Sequence, residues 1–225
     1  MRELSDRIDQ QLIGRIDQLL DTKDNVVVAI DGNSTAGKST LAAYFKETHS
    51  CDVISMDHFF LRPELRTPQR LSQPGGNIDY DRFIDEVITP LRKGESFSYQ
   101  PYDCKTGTMA EPIVIDLKPL IVVEGVYSMH PYFFCALNER AVIDSHAGFD
   151  ERNKIDTYDL TVFLRINEAE QNRRLLLRNP HLHERFVREW VPMENKYFEL
   201  FQIAGKCDFV FNSDEIFINE ESIND

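Results

Sequence analysis

The segment Gly32–Ser39 carries the strongest chemical signal in this chain. Its sequence, GNSTAGKS, matches the pattern G-x-x-x-x-G-K-[ST] in full. Glycines let the backbone turn tightly, so that consecutive N–H groups and the amino end of a following helix face one phosphate. Lys38 would place a positive charge on the β- and γ-phosphates, and the Ser39 hydroxyl would ligate Mg²⁺. The predicted phosphate-binding residues are Gly32, Asn33, Ser34, Thr35, Ala36, Gly37, Lys38, Ser39 and Thr40.

Two carboxylates stand at the ends of other apolar runs, where strands are expected to end. Asp57 follows Val53–Met56, and Glu124 follows Leu120–Val123. Because the carboxyl ends of parallel strands face the ligand crevice of an α/β sheet, both acids are expected beside the phosphate loop. Asp57 would accept the proton of an acceptor hydroxyl, and Glu124 would act in the Mg²⁺ shell. The alternatives are a turn-capping Asp57 and a Glu124 that pairs with Lys38.

Three arginines lie on a segment with helical spacing, namely Arg173, Arg174 and Arg178. A cationic segment that closes over ATP would stabilise the charge on the transferring phosphoryl group and exclude water. Arg174 is the predicted catalytic member, and residues 167–186 form the predicted lid. The alternative is a solvated helix face, on which Glu170 and Arg174 pair at i, i+4 spacing.

Apolar runs alternate with helical patterns around these residues, which predicts a parallel sheet covered on both faces. The fold class is therefore α/β, a three-layer P-loop NTPase fold in a single domain over residues 1–225. A β-hairpin extension is predicted at about 95–117 around residues 105–108, and a Pro- and Gly-rich loop at 61–78. The predicted strands are 25–30, 51–56, 120–123, 158–164 and 207–211, and the predicted helices are 3–21, 38–47, 79–91, 167–178 and 183–203.

Composition excludes several classes of protein. The 225 residues include 25 basic and 38 acidic ones, a net charge of −13, which argues against a broad surface for nucleic acid or membrane. No apolar run approaches the ~18 residues of a membrane-spanning helix, and no signal peptide is expected. The amphipathic helix at 3–21 would pack on its own domain or on a second copy of the chain. The four cysteines are scattered and predict reduced thiols in a cytoplasmic protein; they are Cys51, Cys104, Cys135 and Cys207.

Residues 153–156 have the sequence NKID, which matches the N-K-x-D pattern that GTPases use for guanine. In those proteins the pattern ends a buried strand, whereas here it precedes one. The chain also has no D-x-x-G segment. A charged loop is therefore favoured over a guanine site, and the surrounding residues 141–156 receive no predicted role.

The ordered segments together resemble the uridine kinase and phosphoribulokinase family of P-loop kinases. They are IDGNSTAGKST, VISMDHFF, NIDYDRF, QPYDCKTGTM and IVVEGVY, followed by the arginine-bearing segment, and they span about Val26–Phe211. VISMDHFF is also similar to the matching segment of nicotinamide riboside kinases and, less closely, of pantothenate kinases. The resemblance implies a kinase that uses ATP and Mg²⁺ to phosphorylate a hydroxyl of a small molecule.

The resemblance also implies roles for individual residues. Asp57 matches the catalytic base, Asp79 matches an acid that holds ribose hydroxyls, and Tyr102 matches an aromatic residue beside the nucleobase. The alternatives are a helix N-cap for Asp79 and a surface or core hairpin residue for Tyr102. Residues 104–109 lack the further aromatic residue and the histidine with which uridine kinases recognise the pyrimidine.

The implied acceptor is a nucleoside, phosphorylated on its ribose 5′-hydroxyl. Nicotinamide riboside, pantothenate or a sugar phosphate are the alternative acceptors, and Arg62, Arg66 and Arg70 would supply cations for a sugar phosphate. An interpretation from another class is a nucleotide-binding regulator, in which ATP changes a partner surface without phosphoryl transfer. Asp57 and Glu124 argue against it, because binding alone requires neither.

Overall fold

A five-stranded parallel sheet forms the centre of the molecule, and across it the strands lie in the order 51–55, 120–124, 26–32, 160–165 and 209–212. The computed structural model describes residues 10–135 and 158–216. This sheet, with helices on both faces, confirms the predicted three-layer α/β fold. Its strands are β1 (Val26–Gly32), β2 (Cys51–Ser55), β7 (Leu120–Glu124), β8 (Leu160–Arg165) and β9 (Phe209–Asn212).

Strand β1 lies in the middle of the sheet and is buried along its whole length. Its side chains alternate between two apolar layers, since successive residues of a strand point to opposite faces. Val26, Val28 and Ile30 pack in one layer, and Val27 and Ala29 pack in the other. A continuous apolar run is what a strand covered on both faces requires.

Helices cover both faces of the sheet. α1 (Gln10–Leu20) and α2 (Lys38–Thr48) pack against one face through Leu12, Ile16 and Phe45, among others. Helices from the later parts of the chain cover the other face. They are α4 (Tyr80–Phe83), α5 (Thr89–Lys93), α6 (Tyr132–Cys135), α9 (Val191–Phe201) and α10 (Ile203–Lys206). The remaining helices are α3 (Pro68–Leu71), α7 (Glu168–Arg178), α8 (His183–Arg185) and α11 (Ser213–Ile216).

The predicted extension is one long hairpin in two antiparallel pieces. β3 (Phe97–Tyr99) pairs with β6 (Ile113–Ile115), and β4 (Tyr102–Asp103) pairs with β5 (Thr108–Met109). The interruption falls at residues 100–101, where Pro101 has no N–H to donate to a ladder. The Pro101 carbonyl still accepts a hydrogen bond from the Ala110 N–H at 2.7 Å.

The helices differ from their predicted bounds in three places. The helix predicted at 79–91 runs from α4 through a π-helical turn at Ile84–Ile88 into α5. The helix predicted at 183–203 begins with α8, passes through a π-helical turn at Phe186–Trp190 and stops where Gln202 adopts a left-handed conformation. The predicted loop at 61–78 contains two short helical turns, Pro63–Leu65 and α3. The NKID segment and residues 141–156 lie outside the described residues.

In the part of the chain that the structure describes, none of the helices has the length and apolar character needed to cross a membrane.

Candidate active site

The phosphate loop connects the end of β1 to the start of α2, at the carboxyl edge of the sheet. Gly32 leaves the strand at φ +138°, and a Cβ built there would stand 2.1 Å from the Leu164 carbonyl oxygen. No other residue type fits this close approach to β8. Gly37 precedes α2 at φ +93°, so the first N–H groups of the helix face the loop. The backbone therefore forms the concave cradle that the motif predicts.

Lys38 crosses the loop from the first turn of α2. Its Nζ donates to the carbonyl oxygens of Gly32 and Asn33, both at 2.8 Å, and its side chain is buried. This places a fixed positive charge inside the ring of backbone that would receive the phosphates. The position fits the role predicted for Lys38.

Ser39 and Glu124 form a cluster with Ser55 beside Lys38. The Ser39 hydroxyl donates to Glu124 Oε2 at 3.2 Å, and the Ser55 hydroxyl donates to Glu124 Oε1 at 2.8 Å. The register of the sheet creates this cluster, because Glu124 pairs with Ser55 of β2 and with Ile30 of β1. A hydroxyl and a carboxylate next to a phosphate cradle are hard oxygen ligands suited to Mg²⁺.

Burial raises the pKa of Glu124, and the charges of Lys38 and Asp57 act on it in opposite directions. Lys38 lowers this pKa, whereas the carboxylate of Asp57 raises it. A divalent cation would remove the cost of holding this carboxylate ionised. The chemistry of the residues present therefore fits Mg²⁺.

Asp57 lies in a helical turn, Met56–Phe59, that begins directly after β2. Its side chain is exposed, and its charge acts on both Glu124 and His58. The structure thus brings Asp57 to the same edge of the sheet as the phosphate loop, as the sequence predicts. An exposed carboxylate at this edge is accessible to a hydroxyl group that enters from solvent.

His58 and Tyr99 connect this turn to the hairpin. The Tyr99 hydroxyl lies 3.0 Å from His58 Nδ1, and burial lowers the pKa of His58. The ring is therefore neutral near pH 7, and its Nδ1 and the Tyr99 hydroxyl share one hydrogen bond. Tyr102, the predicted nucleobase contact, is buried on the neighbouring strand β4.

Asp79 is both a helix cap and a second acidic group facing this side of the molecule. Asp79 Oδ1 accepts from the Arg82 N–H at 3.4 Å, so the predicted alternative, an N-cap, is present. Asp79 Oδ2 lies 3.8 Å from Arg62 Nε. Both atoms are buried, and neither has a hydrogen-bond partner among the described residues. Unpartnered buried polar atoms are costly, so this pair is a candidate contact for an acceptor.

Arg174 lies beside the phosphate loop rather than on a free helix face. Its Nη1 donates to the Thr35 carbonyl at 3.2 Å and to the Ser213 hydroxyl at 3.1 Å, and its Nε donates to Glu170 at 2.6 Å. Hydrogen bonds from Arg173 and Arg174 hold the pKa of Glu170 at about 2. Arg178 is exposed at the end of α7. The alternative pairing of Glu170 with Arg174 is thus present together with a contact to the loop.

Three polar residues at the loop were missed by the sequence analysis. Asp31, the last residue before Gly32, is fully buried, and burial raises its pKa to about 6. It accepts hydrogen bonds from the Tyr197 hydroxyl at 2.8 Å and from the Met129 N–H at 3.2 Å. Gln171 and Glu194 contact Ser34. The only sign of these three residues in the sequence was that each is a polar residue within the apolar pattern of its helix or strand.

Comparison with solved structures places this geometry among known folds. A possible uridine kinase from Bacillus stearothermophilus superposes with a TM-score of 0.56 at 19% identity, over 89% of this chain and 99% of that one. A candidate fructose transport system kinase from Silicibacter sp. TM1040 superposes at 0.59 and 16% identity, over 88% and 97%. Phosphoribulokinase from Rhodobacter spheroides superposes at 0.51 and 14% identity, over 88% and 76%.

This chain has the three-layer α/β P-loop NTPase fold of these structures. No protein-family model and no curated protein sequence matches it significantly. In this P-loop fold the sheet edge gathers Lys38, Ser39, Asp57 and Glu124 from three strand ends. The described residues hold no cluster of three or more His, Cys, Asp or Glu side chains with metal-binding geometry.

Proposed function

We propose that this chain is an ATP- and Mg²⁺-dependent kinase that phosphorylates a hydroxyl of a small molecule. The observation that carries the proposal is the placement of Asp57, at the end of β2, beside the Ser39–Glu124 pair of the phosphate loop. Nucleotide binding requires the loop alone. A base at the neighbouring strand end is what transfer to a hydroxyl requires.

Each residue supplies one part of the proposed reaction. The loop N–H groups and Lys38 bind the β- and γ-phosphates of ATP. Ser39 and Glu124 would hold Mg²⁺, which would supply positive charge to neutralise those phosphates. Asp57 orients the acceptor hydroxyl and takes its proton as the oxygen attacks the γ-phosphorus, and ADP leaves. Catalysis of this kind is mainly positioning and electrostatic stabilisation.

A nucleoside is the acceptor that the resemblance implies, with ribose hydroxyls on Asp79. The unpartnered Asp79 Oδ2 supports this part of the proposal, since a diol would satisfy it. Recognition of a particular base would need buried hydrogen-bonding groups. Tyr102 supplies ring surface, while Cys104 and its neighbours in the hairpin turn are exposed.

A sugar phosphate is the second candidate acceptor, because two arginines flank the same site. Arg62 stands beside Asp79, as described above. Arg66 donates through Nε to the Leu61 carbonyl at 2.7 Å. Burial raises the pKa of Cys104, the charge of Arg66 lowers it, and the charges of Asp57 and Asp103 raise it, so Arg66 and Asp57 both act on this thiol. Arg70 instead donates hydrogen bonds to the Gln73 side chain and to the Ile78 carbonyl, and so stabilises the loop at 61–78.

The test is an acceptor screen with Mg-ATP, read as product mass. It includes uridine, cytidine, adenosine, nicotinamide riboside, pantothenate and ribulose 5-phosphate. Wild type should add one phosphate to at least one acceptor, Asp57→Asn should not, and the exposed control Asp85→Asn should match wild type. ATP binding with no acceptor-dependent turnover across the panel would contradict the kinase proposal and favour the regulator.

A further inference from the structure

The phosphate loop contains a left-handed residue that is not glycine. Thr35 has φ +62°, a region that is unfavourable for a residue with a branched Cβ. This turn sets the direction of the N–H groups that follow it, from Ala36 into α2. A strained residue in such a loop persists only where its surroundings over-determine its conformation.

Side chains from two later helices fix the backbone on both sides of Thr35. Glu194 of α9 accepts a hydrogen bond from the Ser34 N–H at 2.9 Å and another from the Ser34 hydroxyl. Gln171 of α7 donates to the Ser34 carbonyl at 3.3 Å. Arg174 donates to the Thr35 carbonyl. Side chains of α7 and α9 therefore form hydrogen bonds with the polar groups of Ser34 and with the Thr35 carbonyl.

Glu194 and Gln171 are the most buried of these contacts, each with 4% of its surface exposed, and Glu194 is the one that can carry a charge. Burial raises its pKa, while the charge of Lys38 and the two bonds from Ser34 lower it. Lys38 donates its hydrogen bonds to the carbonyls of Gly32 and Asn33. The hydrogen bonds of the Glu194 carboxylate to the loop are the two from Ser34. A buried carboxylate bonded to one residue through two donors fixes that residue's backbone.

We propose that Glu194 is a positioning residue for nucleotide binding. It holds Ser34 so that Thr35 stays left-handed and the loop stays open to the phosphates. The packing of α9 therefore contributes to ATP affinity without contact between Glu194 and ATP. The inference rests on nucleotide binding by the loop and does not depend on the acceptor or on phosphoryl transfer.

The test is a double-mutant cycle read as the dissociation constant for ATP. Glu194→Ala is made in wild type and in a Thr35→Gly background, because glycine adopts positive φ without strain and needs no support. In wild type the loss of affinity should be about tenfold, the effect of removing one partner of a buried hydrogen bond. In the Thr35→Gly background the same change should cost less than about threefold. Glu199→Ala, an exposed position on α9, is the matched control and should have no effect.

Three results would overturn the proposal. Tighter ATP binding by Glu194→Ala would show that the carboxylate competes with phosphate. Unchanged binding would show that it holds nothing. An equal loss in both backgrounds would show a direct contact or a general effect on folding. If Glu194→Ala does not fold, Glu194→Gln, which retains one acceptor oxygen, goes through the same cycle, with thermal unfolding measured for every variant.

Discussion

At the residue scale, burial separates the carboxylates around the phosphate loop into two kinds. Asp31, Glu124 and Glu194 are buried, and each accepts hydrogen bonds from groups that belong to the loop or stand beside it. Asp57 is exposed, and within the described residues its carboxylate accepts no hydrogen bond. The buried acids therefore hold groups of the phosphate loop and its surroundings, while the carboxylate of Asp57 stays accessible.

Replacing Asp57 separates nucleotide binding from chemistry. Asp57→Asn removes the proton acceptor and keeps the shape of the side chain. Its ATP dissociation constant should stay within about twofold of wild type, and its turnover should fall by at least about 100-fold. Isothermal titration and a coupled ADP assay measure the two quantities. Full turnover would exclude Asp57 as the base.

Replacing Glu124 tests the predicted metal site. Glu124→Gln keeps bonding capacity for Ser39 and Ser55 but removes the charge that would face Mg²⁺. The Mg²⁺ concentration for half-maximal ATP turnover should rise by about tenfold or more. Glu199→Gln is a surface control of the same chemistry. An unchanged Mg²⁺ dependence would place the metal on other ligands.

The sequence could predict only part of the site at this scale. The phosphate loop, Asp57 and Glu124 are recognisable because each follows an apolar run directly. Glu194 lies 160 positions from Ser34, and its place on an amphipathic helix gives no sign of a distant partner. Only the packing of α9 on the loop brings the two together.

At the element scale, the ends of three neighbouring strands set the spacing of the site. β2 and β7 are in register from Cys51–Leu120 to Ser55–Glu124, and the chain then turns sharply after both strands. Gly125 has φ +135°, and a Cβ built there would stand 2.7 Å from Met56 Cβ. The turn that carries Asp57 therefore packs so close to the end of β7 that only a residue without a side chain fits at position 125.

A pair of glycine substitutions tests this close approach. Gly125→Ala should destabilise the protein by about 2 kcal/mol or more, because of both overpacking and an unfavourable φ. Gly14→Ala in α1 should stabilise it by up to about 1 kcal/mol, since no described atom lies within 4 Å of the new methyl group. Urea unfolding of both variants measures these values. A neutral Gly125→Ala would mean that the two strand ends can separate.

Periodicity predicted the central elements better than the peripheral ones. Buried strands such as β1 and β7 need unbroken apolar runs, and these are visible without an alignment. The π-helical turn at Ile84–Ile88 keeps helical spacing, so the sequence pattern does not distinguish it. The helix end at Gln202 has no glycine to indicate it.

At the scale of the whole molecule, one aromatic cluster connects the loop that precedes α4 to α9. His130 stacks between Tyr80 and Tyr197, at ring distances of 4.4 and 5.5 Å. Its Nε2 lies 3.1 Å from the Pro74 carbonyl oxygen. Tyr197 in turn donates to Asp31, next to the phosphate loop. The acceptor side and the nucleotide side of the proposed site thus share one buried core.

The ionisation of His130 should make the stability of the whole molecule depend on pH. The pKa of this histidine is lowered to about 3, mainly by burial; the hydrogen bond with the Pro74 carbonyl opposes this shift, and the charge of Arg70 adds to it. The unfolded chain takes up a proton below about pH 6.5 and the folded chain does not, so the contribution present above pH 6.5 is lost as pH falls towards 3.

By pH 4.5 the loss should reach about 2 to 3 kcal/mol. His130→Gln, which retains a donor for Pro74 but cannot become charged, should show a correspondingly flatter curve of unfolding free energy against pH. His181→Gln, at an exposed position, should follow the wild-type curve. Equal slopes for wild type and His130→Gln in urea titrations between pH 4.5 and 7 would mean that His130 is protonated inside the folded core. The cluster would then have to hold that charge, which a ring packed between two tyrosines and beside Arg70 is poorly placed to do.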